Sequence, residues 1–321
     1  YKMLTPLPDS KRYLLVREGQ PVPRGLDEDV SILQEPLQNI YLVASGVMDM
    51  FASLDAVDQI RFSGQKQENW YIQTAKDAMA AGNMIYAGKY SKPDYELLVS
   101  EGCDLAIENR MITHSPEVVE MLQSFDIPVM IEYSSYEQHP LGKVEWVKFF
   151  GALTGKEAEA EEAFAEQTEI LEEVESGEKT GKTIAFFYVT SNGLIQVRQS
   201  TDYIPKLIEL AGGRYIFEDL EDSGSGRTTL NMQIEDFYAG AKDADILIYN
   251  SSIDGGVTTL DELIGKCNIL KDFKAVQEGQ VYCTTNDMYQ QSMAIGYLLQ
   301  DMHTVLTDDD TAKLRYLFLL Q

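Results

Sequence analysis

The chain has 321 residues, enough for two domains of ordinary size, and its 44% hydrophobic and 24% charged residues are those of a folded, soluble protein. A formal charge of −26, from 52 acidic against 26 basic residues, argues against nucleic-acid binding and against anionic membranes unless a lipid anchor holds the chain there. No run approaches the roughly 18 apolar residues of a membrane-spanning helix, and the charge leaves two compatible expectations, a strongly solvated surface and docking on a basic partner.

The first 35 residues predict a hairpin, with a strand at 12–17, a turn at Glu18-Gly19-Gln20 and an exit through Pro21-Val22-Pro23. From residue 39 strands and helices alternate. Strands are expected at 39–44, 84–87, 104–108 and 127–132, and helices at 47–54, 95–100 and 116–125, the last with Pro116 in its first turn. Short apolar runs of this kind suit buried parallel strands. Strand–helix–strand repetition with short connections predicts a parallel sheet with helices on both faces.

Residues 156–178 differ, with ten Glu, one Lys and no Pro. Ala160, Ala163, Gln167, Ile170, Leu171 and Val174 fall on one helical face. A helix of that length spans about 35 Å, which suits either a connector between two domains or a surface helix on one. After Gly181 the alternation restarts. Strands are expected at 183–189, 245–249 and 280–284, and helices at 203–211, 234–241, 260–266 and 291–306, with Gly212-Gly213 as a C-cap. The halves share a scheme rather than a sequence repeat.

Catalytic and metal motifs are missing. The three histidines, His114, His139 and His303, lack metal-site spacing, and HExxH, GxSxG and GxxxxGK[ST] do not occur. Gly224-Ser225-Gly226 is too short for a phosphate loop and follows a run of acids. Cys103, Cys267 and Cys283 form no CxxC pair, which leaves either three buried thiols or one disulfide and a free thiol. No catalytic residue and no metal ligand is assigned.

What remains is a set of polar and aromatic residues at the C-terminal ends of predicted strands, where open α/β sheets bind ligands. In the first half these are Ser45, Gly46, Lys89, Tyr90, Arg110, His114 and Tyr133; in the second, Tyr188, Arg198, Asn250 and Tyr289. Arg110 stands out as a cation in an acidic chain, suited to an anionic ligand group or to a neighbouring carboxylate. Tyr90 offers a flat face with a hydrogen-bonding tip, or a half-buried packing ring.

The order of segments resembles the substrate-binding proteins of ABC importers for iron–siderophore complexes, haem and cobalamin. The resemblance runs from about residue 35 to 306. It is carried by PLQNIYLVAS at 36–45, AGKYSKPDYE at 87–96, CDLAI at 103–107 in the place of PDLVI, and FDIPV at 125–129 in the place of GIPV. AGG at 211–213, KDADILI at 242–248 and AVQEGQVY at 275–282 continue it. Order and spacing, rather than any one motif, are specific. The resemblance implies an α/β fold of two Rossmann-like lobes joined by a single long helix, with the ligand between the lobes. Expected boundaries are a lead-in at 1–35, a first lobe at 36–150, the connecting helix at 151–180 and a second lobe at 181–321. It further implies an extracytoplasmic monomer without cofactor or catalysis, which hands a metal chelate to an ABC permease. Glu96 and Glu235, at matching helix starts, would dock on permease arginines, though the helix dipole favours a glutamate there in any case. A lipid anchor would lie in a segment not in this chain. Asn109-Arg110-Met111 replaces an aromatic-containing stretch of cobalamin binders, so an iron–siderophore or haem leads and a corrinoid follows. From other classes, a two-lobed enzyme such as a chelatase predicts a glycine phosphate loop or an acid–base pair, and an adhesion protein predicts an empty cleft.

Overall fold

Both halves of the chain start their central sheet with the same device. Asp104, just before one strand, accepts the backbone N–H groups of Gln38 (2.9 Å) and Asn39 (2.8 Å) at the start of its neighbour. Asp245 does likewise for Thr183, accepting from its N–H (2.7 Å) and hydroxyl (2.9 Å). Each aspartate satisfies strand-end donors that the sheet leaves unpaired. The computed structural model describes residues 1–6, 11–220, 227–253, 256–308 and 311–321; Gly224-Ser225-Gly226 lies outside them. The chain divides into two units. The first holds Tyr1–Ser135, Val144–Ala165 and Gln290–Met293, and the second Tyr136–Lys143, Glu166–Tyr289 and Ala294–Gln321.

The first unit opens with a sheet of β1 (Lys2–Leu4), β2 (Arg12–Val16) and β3 (Val30–Gln34), in that order. The expected hairpin after β2 does not form. A turn does close, from Gln20 N–H to Arg17 C=O at 3.0 Å. However, β3 runs parallel to β2, and the antiparallel partner of β2 is β1. Pro21 and Pro23 have no N–H for a returning strand, so pairing resumes only at Val30. Arg12 ties down the connection through Asp27 (2.7 Å) and Asp29 (2.6 Å).

The main sheet of this unit contains β4 (Ile40–Leu42), β5 (Ile60–Ser63) and β6 (Ile85–Tyr86); after a small hairpin of β7 (Gly88–Lys89) and β8 (Lys92–Pro93) come β9 (Leu105–Asn109) and β10 (Val129–Glu132). Its order is β10-β9-β4-β5-β6 and every pairing is parallel. Helices α1 (Val47–Ser53), α2 (Gln73–Ala80), α3 (Tyr95–Ser100) and α4 (Pro116–Ser124) connect the strands. Tyr41, Phe62, Ala106, Val129, Leu98 and Leu122 form the core of one face.

Two further helices follow, α5 (Pro140–Thr154) and α6 (Glu157–Glu175), and the unit boundary falls inside each, after Lys143 and after Ala165. On α6 the predicted apolar face is realised: Ala160, Gln167, Leu171 and Val174 are buried and Ala163 and Ile170 half-buried. A side chain at Gly151 would come within 2.5 Å of the Ala160 Cβ, so this glycine lets α5 and α6 cross closely.

Residues 290–293 return to the first unit. Gln290, fully buried, accepts from Tyr71 N–H (2.9 Å) and donates to Asn69 C=O (2.9 Å), and Met293 N–H donates to Asp49 (2.7 Å). Gln290→Ala therefore leaves a backbone donor and acceptor unmatched and is expected to cost about 1–3 kcal/mol. Urea unfolding measures the loss, and amide exchange at Tyr71 should accelerate with it; unchanged exchange at Tyr71 would refute the role.

The second unit is built on β11 (Thr183–Val189), β12 (Ile195–Arg198), β13 (Arg214–Tyr215), β14 (Thr229–Met232), β15 (Ile246–Tyr249), β16 (Val281–Thr284) and β17 (Leu317–Leu319). The sheet runs β14-β12-β11-β15-β16-β17, with β13 also on β11. Its centre is parallel, as expected, but β12, β14 and β17 add antiparallel edges. Helices α7 (Tyr203–Leu210), α8 (Ile234–Ala241), α9 (Leu260–Lys266), α10 (Lys274–Gln277) and α11 (Ile295–Thr307) flank it. Asp301 on α11 accepts from the N–H groups of Arg315 (2.9 Å), Tyr316 (2.6 Å) and Leu317 (3.0 Å) and so fixes the entry to β17. The three cysteines carry free thiols.

Candidate functional site

Register aligns the strand ends of the first unit. Tyr86, Ser63, Leu42, Ile107 and Met130 are paired in turn across the sheet. Three residues beyond that row, on the five chain segments, stand Lys89, Lys66, Ser45, Arg110 and Tyr133. Four of these are expected ligand residues, and the sheet brings them to one edge. Lys66 is the fifth, missed because Arg61 interrupts the apolar run of β5 and hides the strand. Three cations thus mark one edge of a strongly acidic chain, where they favour an anionic ligand.

Local structure holds each segment. Val43 N–H donates to Ile107 C=O (2.9 Å), carrying β4 on to Ser45 and to Gly46, the N-cap of α1. Both are half-buried. A Cβ at Gly88 would meet Lys92 C=O at 2.3 Å, and its φ is +89°, so only glycine closes this hairpin. Tyr41 Oη donates to Gly88 C=O (2.8 Å). The hairpin presents exposed Lys89, while Tyr90 is half-buried against the core.

After β9, Asn109 Oδ1 accepts from Met111 N–H (2.8 Å) and starts a 3₁₀ turn over Arg110–His114, anchored by buried Ile112. Arg110 is half-buried and His114 exposed. After β10, Glu132 accepts from both Ser134 N–H (2.8 Å) and its hydroxyl (2.5 Å), a loop that carries half-buried Tyr133.

Beneath this edge lies an anomaly. Glu108 of β9 is fully buried, and neither carboxyl oxygen has a hydrogen-bond partner. Burial pushes its pKa up to about 8, so the side chain is held as the neutral acid at neutral pH. Two hollows of this unit lie elsewhere, one of about 640 Å³ beside Arg61 and one of about 510 Å³ at Asn39, Glu18 and Glu35.

In the second unit the expected residues are less uniform. Asn250 is buried, and its Oδ1 accepts from the Ser252 hydroxyl (2.6 Å), closing its own turn. Tyr188 is half-buried with its ring 6.2 Å from that of Tyr249, and Tyr289 is exposed. Arg198 does not stand at a parallel strand end; it closes antiparallel β12, its guanidinium 3.3 Å from Asp202 and 5.6 Å from the Phe186 ring centre. The other Asp202 oxygen caps α7 through Ile204 N–H (2.9 Å).

Glu96 and Glu235 are each the second residue of a helix, α3 and α8, and both are exposed. Among the described residues no group of three or more His, Cys, Asp or Glu is placed to hold a metal ion.

A sequence model of the family described as periplasmic binding protein matches residues 42–288. An uncharacterized lipoprotein of Methanocaldococcus jannaschii is 25% identical over 314 residues, covering 92% of this chain and 72% of the relative. Among solved structures, a periplasmic haem binding protein of Vibrio cholerae superposes with a TM-score of 0.66 at 14% identity, over 83% of this chain and 98% of its own. An ABC-type Fe3+-hydroxamate transport system protein of Saccharomonospora viridis gives 0.63 at 17% identity, over 84% and 93%. These two likenesses show the fold.

Proposed function

The chain belongs to the periplasmic binding protein family, and from that premise we propose that it captures a metal chelate, an iron–siderophore complex or haem, and delivers it to the permease of an ABC importer. The setting is extracytoplasmic: the family is one of periplasmic proteins, and the Methanocaldococcus relative is a lipoprotein. The observation that carries the reading is the row of Lys89, Lys66, Ser45, Arg110 and Tyr133 along one sheet edge. Cations, a hydroxyl and an aromatic phenol are the groups that hold the anionic oxygens and flat faces of such chelates. Similarity to haem and Fe3+-hydroxamate proteins supports the ligand class. Tyr90, His114, Tyr188, Asn250 and Tyr289 complete the proposed ligand set, binding without catalysis. Glu96 and Glu235 are the docking residues, one for each unit, α6 is the linking strut, and a lipid anchor tethers the protein.

Thermal-shift titration with haem, ferric siderophores and cobalamin tests the ligand. A chelate at 100 times its Kd stabilises the folded state by about 2.7 kcal/mol, which moves the midpoint of a chain of this length by about 4 °C. A shift with cobalamin alone would reassign the ligand to a corrinoid, and no shift with any chelate would defeat the proposal.

A further inference from the structure

We propose that Lys143, together with the ring of Tyr203, is a binding point for a carboxylate on the transported molecule; this deepens, and rests on, the reading of the chain as a chelate-binding protein. Lys143 lies in the first turn of α5, only 7% of it is exposed, and its ammonium stands 4.4 Å from the centre of the Tyr203 ring. Tyr203 follows Asp202, which pairs with Arg198 at 3.3 Å. The charges of Arg198 and Asp202 match each other, so of these three residues Lys143 alone carries an unmatched charge.

The chain has 52 acidic residues for 26 basic ones, and Lys2, Lys148, Lys156, Lys182, Lys206 and Lys274 each take a carboxylate. Lys143, less exposed than any of these six, enters no ion pair among the described residues. A withdrawn ammonium without a counter-ion is costly. The face of Tyr203 offsets part of that cost by cation–π attraction while leaving the charge and its N–H donors available. The helix N-terminus adds positive potential at the same point. One unpaired ammonium matches a monoanionic group, and a carboxylate is such a group with two oxygens to accept its N–H donors. The chemistry recognised is therefore a carboxylate.

The test compares haem, which carries free carboxylates, with haem dimethyl ester, in which they are masked, on wild type, Lys143→Gln and Lys143→Arg. Lys143→Gln should weaken haem binding about tenfold or more, leave ester binding unchanged, and be largely rescued by Lys143→Arg. Equal loss for haem and ester would mean a packing role, and no loss for either would mean no role; each overturns the inference. A readout independent of chelates is the Lys143 side-chain amine resonance during citrate titration, identified by its loss in Lys143→Gln. If wild type binds neither haem form yet citrate moves that resonance, the inference stands and the haem reading fails. If it binds neither and citrate leaves the resonance in place, the inference is overturned.

Discussion

Replacing Glu108 with methionine is expected to stabilise the first unit by up to about 5 kcal/mol above pH 8, and far less below pH 4.5. The carboxyl has an ordinary value of 4.5 and is pushed to about 8 in the folded chain by burial. The folded state therefore holds a proton that the unfolded chain releases throughout that interval. Stability from this group is fully present below pH 4.5, falls by about 1.4 kcal/mol per unit as pH rises, and is lost above pH 8. Its surroundings offer no relief: Ile131 is its partner on β10, and the nearby titratable groups Tyr41 and Tyr95 would themselves be disfavoured as anions by a charged Glu108. Methionine has similar length, carries no charge and needs no hydrogen bond. Urea unfolding of both proteins from pH 4 to 9 checks the claim. The two stability curves should diverge as pH rises, and parallel curves would show that Glu108 ionises freely in the fold.

Charge reversal at both Glu96 and Glu235 should reduce transport by more than tenfold while ligand affinity stays within twofold. Both residues are exposed at helix starts and enter no ion pair among the described residues, so an arginine there disturbs little inside its unit. Loss of a favourable helix-end charge costs about 0.3–1 kcal/mol, too little to unfold a unit. Against a basic partner, reversal replaces attraction by repulsion, and like-charge juxtaposition costs several kcal/mol. Uptake in membrane vesicles carrying the permease, with ligand affinity measured in parallel, separates the outcomes. Raised salt should weaken docking of the wild type, since exposed charges are screened within about 10 Å at 0.1 M. If affinity falls with transport, the two glutamates serve the ligand and not the partner.

Much of the fold was legible because buried parallel strands announce themselves as apolar runs. Residues 184–189 and 246–249 are apolar or aromatic throughout, and both strands are buried almost throughout. β5 was not legible, since Arg61 sits inside it and sends its guanidinium to Glu101 and to the carbonyls of Gly82 and Asn83. α2 was hidden by its polarity, with Ala75 its one fully buried side chain. The antiparallel β12 and β14 carry residues such as half-buried Gln196 and exposed Asn231, whose pairing comes from partners far along the chain. For the site, strand ends could be guessed one at a time, but their alignment depends on register. Ser45, Arg110 and Tyr133 become neighbours only through the pairing of Leu42, Ile107 and Met130. Arg198, expected at a ligand-binding strand end, closes an antiparallel strand instead and is claimed by Asp202, four residues on. Lys143 carries no local signal, since the ring it faces, Tyr203, lies far along the chain.

The return of residues 290–293 to the first unit has an implication for inheritance. A gene fragment ending anywhere before Gln290 encodes the first unit without the side chain that pairs Asn69 and Tyr71. Neither unit is one uninterrupted stretch of sequence, so neither can be transferred to another chain by a single excision from the gene.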